Sequence, residues 1–199
     1  MSWEIIVQAF WIILPAYIAN ASAKLSGGGK PIDFGKKYKD KKRILGDGKT
    51  WNGLIIGTVI GMISGFALSI AALYINNTEY SFIGITDFLG FPYMILITFS
   101  ICFGALSGDI IESFFKRRRG INRGKDWIPF DQIDFILGFL FLSFLMSSFL
   151  HVFGFYPINW FTENITIWHM TFLLIVTPFI HIISNFLHKK IENAQKAKK

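Results

Sequence analysis

No intrachain disulfide can brace this protein, because Cys102 is the single cysteine among its 199 residues. It lies inside an apolar run and reads as a small core residue. The four histidines are equally bland. His151 and His188 fall at span ends, and His169 and His181 share no motif with a cysteine or an acid, so no zinc-type ligand set is present. No Ser-His-Asp or Cys-His arrangement offers a covalent nucleophile. A true P-loop is missing as well. Gly48-Lys49-Thr50 has the right ending, but Arg43 stands where the motif needs glycine and no strand precedes it. That excludes a nucleotide-triphosphatase domain.

Apolar surface is what the chain has in excess. It is 52% hydrophobic and 17% aromatic, with 22 Phe and a mean hydropathy of +0.46. A soluble domain of this length cannot hide so much, so the class is integral membrane protein. Five runs, near 3–22, 54–75, 91–111, 135–155 and 167–187, reach the roughly 20 residues a helix needs to cross a bilayer. The first is too long, and too polar at its end, for a cleaved signal peptide, and no basic segment precedes it. The expectation is an all-α integral membrane protein, one transmembrane domain over 1–199 with five transmembrane helices. Its two functional cytoplasmic loops are 23–52 and 112–134.

Every Lys and Arg falls in the first loop, the third connection or the C-terminal tail, while 76–90 and 156–166 carry only the acids Glu79, Asp87 and Glu163. The positive-inside rule then puts the three basic segments in the cytoplasm, the N-terminus outside and the C-terminus inside. This placement in a cell membrane also accounts for the net charge of +7, which in a soluble protein would point to nucleic acid. No nucleic-acid partner is expected.

The stretch from Gly108 to Asp134 concentrates the chemistry. Asp109 and Glu112 leave one apolar run; Asp131 and Asp134 enter the next. On helices each pair, spaced i, i+3, shares a face. An acid within a span costs at least about 2.5 kcal/mol and marks a site facing protein or water. Four acids flanking a loop with Lys116, Arg117, Arg118, Arg119, Arg123 and Lys125 suit a divalent cation beside phosphate, and magnesium fits best. Lys116 is also i+4 from Glu112, which fits a simple helical ion pair. The glycine-rich first loop, with Arg43, Lys49 and Thr50, fits either an anion cradle or a solvated linker. Asn20 closes the first span on the same side, where it can cap the helix or reach substrate.

This stretch resembles the CDP-diglyceride synthetase signature: Gly108-Asp109, Glu112-Ser113, Lys116-Arg117, Lys125-Asp126, Pro129 and Asp131-Gln132-Ile133-Asp134. It lacks the H-G-G before the closing acids and has Gln132 where Arg is usual. Those departures, the short length and the loop P-I-D-F-G…G-D-G-K-T-W-N-G are similar to the archaeal branch, the CDP-archaeol synthase family. The resemblance implies a magnesium-dependent CTP:lipid-phosphate cytidylyltransferase. Its substrates are CTP and 2,3-bis-O-(geranylgeranyl)glycerol 1-phosphate, and its products CDP-archaeol and pyrophosphate. It implies Asp109 and Asp131 as leading metal ligands, with Asp134 and Glu112 beside them. Lys116 and Arg117 then fall to substrate phosphates, and the first loop, with Arg43, Lys49, Thr50 and Asn20, substitutes for the missing H-G-G in holding the nucleotide. The rival reading is a small cation transporter or channel with a cytoplasmic acidic site. A pore needs polar residues through the membrane depth, whereas here they cluster at one end.

Overall fold

The structure is a computed structural model that describes residues 2–121, 125, 127 and 130–180. The described residues form helices and contain no strand. Four helices are long and apolar enough to cross a membrane: α1 (Trp3–Leu25), α2 (Trp51–Ile75), α3 (Tyr93–Arg118) and α4 (Phe130–Val152). A short helix α5 (Trp160–Asn164) leads into the apolar α6 (Ile167–Ile180). The remainder of the expected fifth span, and the basic tail, lie outside the described residues.

Two helices outrun their apolar stretches, and helix-end electrostatics explains both. α3 continues past Ile111 to Arg118, with Lys116, Arg117 and Arg118 in its last turn. α4 begins at Phe130 with Asp131 in its first turn. Cations at a C-terminus and acids at an N-terminus both offset the helix dipole. Glu112 and Asp131 therefore stand on helices rather than in the connection.

Lipid supplies no hydrophobic drive between helices, so close packing of small residues has to hold them together. On α2, Gly53, Gly57, Gly61 and Gly65 are in contact range of α1; a Cβ at Gly57 would sit 2.7 Å from the Ala19 carbonyl. The other face of α2 exposes Ile55, Val59, Ile63, Phe66 and Ile70, a surface suited to lipid tails. The α3–α4 crossing is tighter still. A Cβ on Gly108 would overlap the Asp134 carbonyl, and one on Gly138 would overlap Gly104. Backbone-to-backbone contact there brings the carboxylates of the two helices to one spot.

The ends of the bundle are distinct. At one end Gln8 donates to the Ile83 carbonyl (2.6 Å), His169 Nε2 pairs with Gln8 Oε1 (2.9 Å), and Trp11 and Trp160 both donate to Thr86 (3.0 and 2.8 Å). The first loop and the end of α3 meet at the other, and every described Lys and Arg is there.

Gly138→Ala should lower thermal stability in detergent by about 1–3 kcal/mol, the usual range for overpacking. An unchanged melting temperature would show that the α3–α4 crossing has slack.

Candidate active site

Loop 26–50 has no helix, yet it is built around one buried acid. The Asp33 carboxylate accepts hydrogen bonds from the amides of Gly35, Leu45 and Gly46 (each 3.0 Å) and from Arg43 Nε and Nη2 (3.2 and 2.8 Å). Burial would raise the Asp33 carboxyl, but the Arg43 guanidinium and these three amides outweigh it and hold it well below the usual carboxylate range. Arg43 also pairs with Asp47 at 2.7 Å, so its guanidinium is engaged inside the loop.

Arg118 fastens that loop to the end of α3. It pairs with Asp40, donates to the Arg43 carbonyl, and lies over the rings of Tyr38 (4.9 Å) and Phe114 (5.1 Å). Lys42 Nζ returns a bond to the Arg118 carbonyl at 3.1 Å. The far end of the loop is fixed by Thr50, whose hydroxyl accepts from the Gly53 amide (3.1 Å) as the N-cap of α2. Lys49, one residue earlier, is thereby delivered to α3, where its Nζ lies 2.5 Å from Asp109 Oδ2. Asn20, Lys24, Lys49, Thr50 and Asp109 line a cleft of about 120 Å³, with Leu54, Leu106 and Ile110 as its apolar wall.

Asp109 also belongs to a second grouping. Asp109, Glu112 and Asp134 each offer an oxygen, and all three lie within 4.8 Å of one another. Glu112 is 7% exposed, and its Oε1 accepts no hydrogen bond. Asp131 is held differently. Lys116 Nζ lies 2.7 Å from both of its oxygens, and the Trp127 amide donates to it at 2.8 Å. The same lysine is 3.8 Å from Glu112 Oε1. Four carboxyl groups thus crowd against two lysine ammonium groups. A buried carboxyl oxygen with no hydrogen-bond donor, inside a cluster of oxygen ligands, fits a divalent cation.

The anticipated residues therefore divide. Asp109, Glu112 and Asp134 converge as one potential ligand set, with Asp131 beside it against both Glu112 and Lys116. Lys49, Thr50 and Asn20 share the cleft. Arg43 sits inside the loop, and Arg117 Nη1 donates to the Ile121 carbonyl at 2.5 Å, leaving its buried Nε without an acceptor. Arg123 lies outside the described residues. Asp33, Asp40 and the clamping function of Arg118 were missed in the sequence. For Asp33 a signal existed: in D-F-G the carboxylate bonds its own backbone two residues on, as turn-forming aspartates do.

The chain matches the family model described as CarS-like: CDP-archaeol synthase over residues 2–195. It is similar to the CDP-archaeol synthase of Thermococcus onnurineus (strain NA1), 38% identical over 191 residues and 96% of each chain. The corresponding protein of Methanocella arvoryzae is 41% identical over 179 residues, 90% of this chain and 96% of that one. The fold resembles a solved structure described as an intramembrane enzyme for archaeal membrane lipids biosynthesis. That match has a TM-score of 0.67 and 30% identity, and covers 91% of this chain and 94% of the other.

Because the Asp33 carboxyl is depressed, its contribution to loop stability is fully present above the ordinary aspartate range near pH 4 and is lost only as pH falls through the lowered value. Asp33→Asn should remove that contribution at neutral pH. Trypsin would then cut the lysine-rich loop at least about tenfold faster, equivalent to ~1.4 kcal/mol of lost closure. Cleavage at the wild-type rate would contradict the role given to Asp33.

Proposed function

The chain belongs to the CDP-archaeol synthase family and is a cytidylyltransferase that makes CDP-archaeol in archaeal lipid biosynthesis; we propose that its cation site is the trio Asp109, Glu112 and Asp134, taking magnesium. The observation that carries the assignment is the buried Glu112 Oε1, which has no hydrogen-bond donor and converges with oxygens of Asp109 and Asp134. The trio is built from oxygen ligands, which suits a hard cation shared with phosphate. Magnesium bound there supplies charge neutralisation at the α-phosphate of CTP.

The remaining work falls to the chain's own side chains. Lys49, Thr50 and Asn20, which share the cleft, contact the triphosphate. Arg117, with a buried Nε that lacks an acceptor, meets the leaving pyrophosphate. Lys116 is a positioning residue: it grips Asp131 with both carboxylate oxygens equidistant and draws Glu112 toward the same point. Asp131 in turn accepts from the Trp127 amide and sets the start of α4. An oxygen of the lipid phosphate attacks the α-phosphorus of CTP, the bond to the β-phosphate oxygen breaks, and pyrophosphate leaves. The attacking oxygen is already anionic, so alignment and charge stabilisation suffice without a protein base. The lipid substrate is an isoprenoid ether-lipid phosphate whose tails remain in the bilayer.

The basic end of the bundle faces the cytoplasm in this reading, with the N-terminus outside. Support comes from the gathering of every described Lys and Arg at the end that holds the acids. A channel or transporter is disfavoured by the same confinement, since among the described residues no Asp, Glu, Lys or Arg continues along the middle of the helices as a pore lining.

Asp109→Asn, Glu112→Gln and Asp134→Asn should each lower magnesium-dependent CMP transfer from labelled CTP roughly a hundredfold or more. Asp131→Asn should cost only about tenfold, because it acts through Lys116 and the start of α4. Near-wild-type turnover in all three trio variants would end the assignment.

A further inference from the structure

We propose that Lys49 is an internal competitor for the cation: its ammonium holds Asp109 until a divalent ion displaces it, and the displaced side chain then serves the phosphates in the cleft. This rests on the cation reading of the trio given above.

Asp109 is the one member of the trio that also lines the cleft, and Lys49 lines the cleft as well. The contact between them is short, 2.5 Å, and partly shielded, with side-chain exposures of 20% and 30%. The backbone of Lys49 is fixed. Its carbonyl accepts from Ile32 N (2.8 Å), its amide donates to the Gly46 carbonyl (3.4 Å), and the next residue caps α2. Only the flexible four-carbon stem is free to move.

An ammonium bound to one carboxylate is an incomplete substitute for an ion bound to three. Lys49 reaches Asp109, while Glu112 Oε1, buried within the same trio, accepts no hydrogen bond at all. A divalent ion on the Asp109 carboxylate would meet the ammonium charge at close range, and the two repel. One must yield. The lysine has somewhere to go, because Thr50 and Asn20 border the same cleft, and phosphate there would receive the released charge. Binding of cation and of phosphate then favour each other, since each removes what obstructs the other, and linkage makes the effect reciprocal.

The test uses the full-length protein in detergent without nucleotide, titrated with Mn²⁺ while free ion is read by electron paramagnetic resonance. Lys49→Met should tighten Mn²⁺ binding about tenfold, ~1.4 kcal/mol. Lys24→Met removes the same charge from the same cleft, where Lys24 makes no ion pair among the described residues; it should change affinity less than about twofold. Lys49→Arg keeps a competing cation and should stay near wild type. If Lys49→Met does not fold, Lys49→Gln takes its place with the same expected tightening. Equal shifts for Lys49→Met and Lys24→Met, or no shift for Lys49→Met, would overturn the competition while leaving the cation site standing. If the wild type shows no Mn²⁺ binding that Asp134→Asn abolishes, the cation reading fails and the competition with it.

Discussion

Backbone contact between Gly108 and Asp134 is the constraint on which the site depends. Acids on two transmembrane helices repel, and nothing in lipid forces them together. The absence of a Cβ at Gly104, Gly108 and Gly138 lets α3 and α4 approach until main chain meets main chain. Asp109 and Asp134 are then neighbours because of packing below them, in spite of their charge. The acidic group is an imposed arrangement, and the lysines around it are the response.

That response is graded. Lys116 is committed, with two equal contacts to Asp131 and a longer one to Glu112. Lys49 arrives from a different part of the chain, on a loop held by its own buried acid, and touches a single carboxylate. Near a membrane boundary the effective dielectric is low enough that each such contact matters more than its surface counterpart. The difference between the two lysines is therefore one of function: one fixes the acids, and the other is able to leave.

Much of this was legible from residue order alone. Long apolar runs locate α1 to α4, and the charge distribution groups the first loop with the end of α3. The i, i+3 spacing of Asp109 with Glu112, and of Asp131 with Asp134, points to facing carboxylates. Helix ends were less legible, because hydropathy stops at the first charge while the hydrogen-bond ladder of α3 carries on to Arg118. The pairing of acids across the crossing depends on helix rotation, which spacing within one helix does not set; Asp134 rather than Asp131 joins Asp109 and Glu112 for that reason. Loop 26–50 was the least legible. Its long-range partners, Asp33 with Arg43 and Asp40 with Arg118, follow no periodic rule.

The Arg118 clamp has a mechanical consequence. A helix of 26 residues such as α3 changes its inclination when the surrounding bilayer thickens or thins. Since the clamp binds the loop to the same helix that bears Asp109, Lys49 and Asp109 tilt together. The geometry between them is thereby insulated from changes in thickness of the membrane whose lipids this enzyme itself supplies.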